Sequence, residues 1–334
     1  WVELRNSRIL ESDATASRPS SGGGFAGVNG ADALIINSTI DASLSRSSHS
    51  SYSALGGGIY WSGDELTVEQ STISNNQARH SYTARGGGIY RAAGAVTIIR
   101  SEIIGNVSDQ HGGGIYGQST IIDSIVANNQ SVLESGGGIY SSGTSFIVNS
   151  TIADNVADDH GGGIYQAAGT LYLTQSTVSG NRAALGGDYA GGGIFVDGAG
   201  TAQIVQSTIV NNEAFEGGGV FNSGTTKLTN TIVAANTATS NVGHDVRGSF
   251  NAESQYNLIG IVNDSTGLGT DPNSPAGTLA EPLDSQLDPL ADNGGSTPTL
   301  CWLEAPPSMP EATRWPSMPM AWICSISGRL RSVR

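Results

Sequence analysis

Apolar and polar residues alternate along this chain in short runs, not in helical stripes. Leu66-Thr67-Val68-Glu69-Gln70, Val96-Thr97-Ile98-Ile99-Arg100, Leu171-Tyr172-Leu173-Thr174-Gln175 and Lys227-Leu228-Thr229-Asn230 carry the alternation. A two-residue period rich in β-branched side chains marks half-buried strands. No stretch carries a 3.6-residue stripe, which excludes a helical solenoid. Each alternating run leads into a second short segment that opens on Ser or Thr and closes on Asn: Ser71–Asn76, Ser101–Asn106, Ser124–Asn129, Ser150–Asn155, Ser176–Asn181, Ser207–Asn212 and Thr231–Asn236. A third segment is Gly-Gly-Gly followed by Ile or Val and then Tyr or Phe. It occurs at Gly56–Tyr60, Gly86–Tyr90, Gly112–Tyr116, Gly136–Tyr140, Gly161–Tyr165, Gly191–Phe195 and Gly217–Phe221, with a further triplet at Gly22–Gly24 before Phe25.

The triplets recur every 24 to 34 residues. A motif at such a period predicts a solenoid, because one unit cannot bury its apolar face alone. Three short strands per unit predict one coil of a parallel β-helix. The expected fold is all-β: a right-handed parallel β-helix of about 8–10 rungs, the hand following from the preference of parallel crossovers. Coils about 4.8 Å apart would make a rod on the order of 40–50 Å long. Ile59, Ile89, Ile115, Ile139, Ile164, Ile194 and Val220 are expected to form one inward column, and Ile73, Ile103, Val126, Ile152, Val178, Ile209 and Val233 another. The triple glycines read as sharp turns with φ > 0 and close approach of neighbouring coils. A phosphate-cradling loop would need a Lys or a strand-to-helix transition, and no triplet has either. The closing Asn residues are expected to tolerate the left-handed region and to hydrogen-bond up the stack.

From triplet to closing Asn the chain takes 17 to 21 residues, whereas from that Asn to the next triplet it takes 5 to 10. Insertions therefore gather at one corner and would emerge along one edge of the rod, where solenoids place recognition. The loops carry His80, Tyr82, Arg85, His111, Asp158, Asp159, His160, Asp188 and Tyr189. Just before the triplets, His111, Ser135 and His160 share one column, and Gln110, Glu134 and Asp159 the next. Glu134 and Asp159, with His111 and His160, are the candidate catalytic groups, since glycoside chemistry needs two carboxyls about 5–9.5 Å apart. The competing reading is a solvated loop whose polar residues carry no chemistry. Tyr60, Tyr90, Tyr116, Tyr140 and Tyr165, continued by Phe195 and Phe221, should face outward if the Ile column faces inward. Such a stripe can bind sugar rings or a partner, or serve the stack alone. Candidate binding residues are these tyrosines with His80, Tyr82, Arg85, Asp188 and Tyr189.

Composition narrows the partners. The net charge is −14, with one lysine, Lys227, and charged residues make up only 13% of the chain. An acidic chain without a basic stripe argues against nucleic acid and anionic membranes. No apolar run reaches the roughly 20 residues of a membrane span. Asp188 follows Gly186-Gly187, but a glycine-rich calcium repeat is missing, and neither metal nor other cofactor is expected. A monomer is expected.

Residues 1–244 read as β-helix repeats. Asn6-Ser7-Arg8-Ile9 matches Asn37-Ser38-Thr39-Ile40, so the chain is expected to start inside a repeat. Residues 245–300 read as a last rung and C-terminal cap. Residues 301–334 hold Cys301, Cys324, all three Met and three of five Trp. They read as an atypical tail, the product of a shifted reading frame, and are expected to be poorly ordered.

The Gly-Gly-Gly-Ile-Tyr and Ile73-Ser74-Asn75-Asn76 units resemble the Gly-Gly-x-Ile and Phe-x-x-Asn repeats of polymorphic outer membrane proteins, with Ile or Val in place of Phe. They are closer still to bacterial surface β-helix proteins of the choice-of-anchor kind, which share the ending Leu287-Asp288-Pro289-Leu290-Ala291-Asp292-Asn293-Gly294-Gly295-Ser296-Thr297-Pro298-Thr299. The likeness covers roughly residues 1–300. It implies a secreted or cell-surface rod with an adhesive role, presenting its loop edge to a glycan or surface protein. After Thr299 this sequence departs from the family's Gly-Ser-Pro-Ala-Ile-Asp-Ala-Gly-like continuation, which leaves the anchor unassigned. The alternative is a polysaccharide lyase or glycoside hydrolase on the same scaffold, and a plain spacer is the third reading.

Overall fold

The computed structural model describes residues 1–16, 20–28, 30–47, 52–80, 82–184, 190–269 and 271–300. The expectations placed on Asp188, Tyr189 and residues 301–334 fall outside these. The described chain is all strand, turn and irregular backbone, and its strands stack in parallel as a β-solenoid of about eight turns.

The Ser-Thr-Ile segments form one ten-stranded sheet, from Arg8–Leu10 to Leu258–Ile259. The Gly-Ile-Tyr and alternating segments form two further faces. These merge into a 16-stranded sheet because the later coils run through both as single strands: Ile164–Thr174, Ile194–Val205 and Val220–Thr229. The register is the one the repeats predict. Ile59 pairs with Ile89, then Ile115, Ile139, Ile164, Ile194 and Val220 in succession. Ile73 likewise continues through Ile103, Val126, Ile152, Val178, Ile209 and Val233. Both columns are sealed from solvent and belong to one apolar core running the length of the rod. Each such side chain contributes about 1.5–3 kcal/mol by leaving water.

The coil has one more face than its alternation suggests. After the closing Asn the chain is not yet loop: Gln77–Arg79, Val107–Ser108, Gln130–Ser131 and Val156–Ala157 are short strands in a six-stranded sheet. Their inward residues are small, namely Ala78, Ser108, Ser131 and Ala157, and all are buried. Runs of two or three residues with such small side chains carry no visible periodicity, so the segments read as insertions.

The closing Asn residues form a continuous buried column. Asn106 Nδ2 donates to Asn129 Oδ1 (3.0 Å) and to Ile73 O (2.9 Å), while Asn106 Oδ1 accepts from Asn76 N and Nδ2. The left-handed backbone lies one residue earlier than expected, at Asn75 (φ 53°), Asn128 (φ 56°), Asp154 (φ 54°) and Asn211 (φ 58°). This turn swings the following Asn inward, where its amide replaces the backbone ladder that the bend interrupts.

The glycine triplet lies directly against this column. Gly86 has φ 66°, and a Cβ on Gly87 would sit 2.4 Å from Gly113 O. A Cβ on Gly88 would sit 2.7 Å from Gly114 O and 3.0 Å from Asn106 Nδ2. Both expected reasons for glycine hold, the turn at the first position and close approach at the other two.

The C-terminal segment lies back along the rod. Leu283, Leu287 and Leu300 pack on the outward-facing Val210, Ile232, Ala234 and Leu258. Ala291 and Thr299 pair in antiparallel fashion, and the bend between them reaches several coils back. There Ser296 Oγ donates to Asp123 Oδ1 (3.2 Å) and accepts from Asn149 Nδ2 (3.0 Å), and Thr151 Oγ1 donates to Pro298 O (2.6 Å). Outward positions along this strap are therefore buried, as at Ala153 and Ser179, where the uncovered equivalent Ser74 is half-exposed.

The contact distances predict a sharp contrast between two glycines. Gly87→Ala should lower the unfolding free energy by about 2–3 kcal/mol or more, as overpacking against backbone does. Gly198→Ala, whose Cβ would meet only Ser223 O at 4.0 Å, should stay within about 0.5 kcal/mol of wild type. Urea denaturation of both variants measures the difference, and equal stabilities would contradict the packing described.

Candidate functional site: an aromatic column bordered by a polar edge

The outward neighbours of the core Ile column are the aromatic residues, one per coil. Tyr60 and Tyr90 have ring centroids 5.6 Å apart, Tyr90 and Tyr116 5.1 Å, Tyr116 and Tyr140 5.0 Å, Tyr140 and Tyr165 5.1 Å, and Phe195 and Phe221 prolong the series at 5.1 Å. The planes lie within 13° of one another. Register alone dictates this: one aromatic at the same point of every coil is held at the coil spacing. The consequence is chemical. Between neighbours the ring faces are used by the stack, so the column offers ring edges and phenol hydroxyls, not flat platforms. Burial pushes the Tyr90 and Tyr140 hydroxyls above their ordinary range, so they stay protonated donors. Tyr165 is raised as well, by burial and then by donating to Asp197 Oδ2 at 2.8 Å.

The residues before the triplets border this column. Their backbones are linked coil to coil, with Gly86 N donating to His111 O (3.1 Å), Gly112 N to Ser135 O (3.2 Å) and Gly136 N to His160 O (2.9 Å). Arg85, His111, Ser135 and His160 thus occupy successive coils, as counting back from the glycines predicts. Arg85 Nη1 donates to Tyr116 Oη at 3.2 Å, and its guanidinium carbon lies 5.1 Å from that ring. The His111 ring lies 4.5 Å from Tyr140, and the His160 ring 4.5 Å from Phe195. Ser135 Oγ donates to Asp159 Oδ2 (2.9 Å), and Asp159 Oδ1 is 3.3 Å from His160 Nε2. Glu134 stands one residue before Ser135, and its carboxyl is raised by burial and then by the charge of Asp159.

Arg85, His111, Glu134, Asp159 and His160 therefore meet along one side of Tyr116, Tyr140 and Tyr165. Two buried atoms there have no hydrogen-bond partner, Arg85 Nε and His111 Nδ1. His80 and Tyr82 play a different part. The His80 ring is buried and its Nδ1 accepts from Tyr82 N and Thr83 N, both at 3.0 Å, which ties the bend of its own loop; Tyr82 is broadly exposed. Asp197 and Arg247 were not foreseen. Arg247 pairs in register with Phe221, lies 5.9 Å over its ring and is held by Glu216 at 2.8 Å. The signal was there: Gly243-His244-Asp245-Val246-Arg247 is the triplet motif with two glycines and the aromatic replaced. Among the described residues, no group of three or more His, Cys, Asp or Glu is placed to hold a metal ion, and no helix is long and apolar enough to cross a membrane.

The family model for a right-handed beta helix region matches residues 2–182 and, overlapping it, residues 57–238. The chain belongs to the right-handed β-helix family. Membership supplies the hand of the coil, and it covers every residue of the polar edge and aromatic column up to Phe221. No curated protein sequence and no solved structure matches the chain. Right-handed β-helices include adhesin-like proteins and polysaccharide-degrading enzymes alike, so the family leaves the activity to the edge residues.

His111 makes the edge sensitive to acid. Burial, and then the nearby Arg85 charge, lower it from 6.5 to about 4. A depressed histidine stabilises the fold above its unfolded value, and that contribution is lost as pH falls from about 6.5 towards 4. Allowing for partial exposure, the effect is no more than about 2 kcal/mol. Urea midpoints measured from pH 7 to 4 should fall less steeply for His111→Gln than for wild type. Parallel curves would show that His111 is not held neutral by its site.

Proposed function

We propose that this β-helix is a non-catalytic extracellular or cell-surface scaffold, adhesin-like, whose polar edge and aromatic column bind a glycan or a surface protein. The carrying observation is the contiguous stripe of phenol edges bordered by Arg85, His111, Glu134, Asp159 and His160 across neighbouring coils. A rigid scaffold lowers the entropic cost of ordering such a stripe on binding. Hydroxyls, a guanidinium and carboxylates alternate with apolar ring edges, which suits a ligand rich in hydroxyl groups and carrying little charge.

One observation favours a second reading, a polysaccharide lyase or glycoside hydrolase. Glu134 is raised while Asp159 stands near it, held by Ser135 and His160, and two carboxyls in unequal surroundings are what acid/base catalysis uses. Against it stands the scarcity of cations, since an anionic polysaccharide would call for more Arg or Lys than the edge carries.

A glycan array probed with the full chain, followed by a reducing-sugar assay on each hit, separates the readings. Binding without release, weakened tenfold or more by Tyr116→Ala or Tyr140→Ala, is the expected result. Release of reducing ends, abolished in Glu134→Gln, would overturn the scaffold reading in favour of the enzyme. A chain that binds no glycan and no surface protein would be a spacer.

A further inference from the structure

Two columns of buried polar side chains run along the rod, and both have a direction. In the first, the backbone N–H and Nδ2 of each Asn donate to Oδ1 of the Asn one coil further on, from Asn76 through Asn106, Asn129, Asn155, Asn181 and Asn212 to Asn236. In the second, the N–H of each Ser donates to Oγ of the Ser one coil on, from Ser38 through Ser71, Ser101, Ser124, Ser150 and Ser176 to Ser207. Every one of these bonds points towards the C-terminal end. A directional ladder has a difficulty where it stops. The last donors need an acceptor, and the group supplying it must not bring donors of its own. Another Asn would bring two more hydrogens into a buried site.

The Asn column stops at Asp245. Its Oδ1 accepts from Asn236 N and Nδ2, both at 2.8 Å, and its Oδ2 accepts from Ile261 N at 2.7 Å. The Ser column's own bonds run to Ser207. Beyond it, with no bond from Ser207 N to Thr231 among the described residues, a shorter relay of the same kind runs from Thr231 N to Asn257 Oδ1 (3.0 Å) and from Asn257 N to Ser274 Oγ (3.0 Å). Ser274 Oγ then donates to Asp271 Oδ2 (2.8 Å), which also accepts from Tyr256 N (3.0 Å), while Asp271 Oδ1 accepts from Asn273 N (3.0 Å). A carboxylate takes hydrogen bonds and gives none. The Asn column and the Thr231–Asn257–Ser274 relay therefore both finish on the side-chain type that resolves their polarity.

We propose that Asp245 and Asp271 are the end-stops of the rod. They absorb the last donors of the Asn column and of the Thr231–Asn257–Ser274 relay, and pin the segment from Tyr256 onward to the final coil. Among the described residues, neither carboxylate offers a donor from which a further coil, or a second copy of this chain, can continue the Asn column or that relay.

Hydrogen exchange at pH 8 tests this, because burial raises Asp245 only to about 6 and it is a carboxylate there. Asp245→Asn removes a buried charge. If desolvation decided the matter, the amides of Asn236 and Ile261 would exchange no faster, or more slowly, than in wild type. As an end-stop, Asp245 is replaced by a carboxamide that keeps one oxygen and turns its NH2 towards the donor on the other side, so whichever of the Asn236 and Ile261 amides faces that NH2 should exchange about tenfold faster or more. The amides of Ile115 to Ile164 serve as an unchanged internal reference. Asp271→Asn, at the half-exposed stop, should accelerate whichever of the Tyr256 and Asn273 amides faces the new NH2 in the same way, and keeps the test open should Asp245→Asn fail to fold. Unchanged or slowed exchange in either variant overturns the role assigned to that aspartate.

Discussion

A carboxamide shut away from water must find four partners, and in this rod each inner Asn of the column finds all four in the coils above and below. Asn129 shows it: Oδ1 accepts twice from Asn106, and Nδ2 donates to Ile103 O and to Asn155 Oδ1. A coil that slipped by one residue would bury these groups unpaired, at about 1–3 kcal/mol each. The column thereby fixes the register of every other column. It also explains the glycines, since the third of each triplet lies against the Asn side chain. With the register fixed, the inward Ile residues seal the core and the Tyr rings fall into one stack. The polar edge follows as the row just before the glycines.

Much of this was legible in the chain because a single residue type returns at one place in each unit. The Ile, Tyr and Asn columns could be read by aligning the triplets, and counting back from them put His111, Ser135 and His160 in one column and Gln110, Glu134 and Asp159 in the next, whereas Arg85 was read only as a loop residue. Features without a distinctive residue were not legible. The fourth face rests on Ala78, Ser108, Ser131 and Ala157, small side chains in runs too short to show a period. The strap was not legible either: the outward positions it covers are Ala153, Ser179, Val210 and Ala234, a mixture of small, polar and apolar side chains no different in kind from Ser74 and Ile104 in the uncovered coils. Nor did the sequence show that stacking uses the Tyr faces, because the offset of rings is a matter of geometry. Asp197 was missed because the neighbouring coils carry Ala167 and Ser223, not an acid, just after the residues that pair with Val196.

This arrangement bears on what the edge can do. Under the proposed binding role, a stack that uses its ring faces would meet ligands through edges and hydroxyls, with hydrogen bonds placed one coil apart. The segment before the glycines doubles in length between coils, from 5 to 10 residues, while the Asn column stays in register, so the edge can change without disturbing that ladder. The buried amides that fix the register thus lie on one side of the glycine turn, and the Arg, His and carboxylate groups proposed for recognition on the other.

The buried amide column is most directly tested through its own protons. In a 15N-resolved NMR exchange experiment, the side-chain NH2 groups of Asn106, Asn129, Asn155 and Asn181 should exchange with solvent orders of magnitude more slowly than the exposed Asn75 and Asn149 side chains, and about as slowly as the core strand amides. Side-chain exchange as fast as at Asn75 would show that the amides are not locked coil to coil, and would contradict the constraint from which the register, the core and the edge are derived.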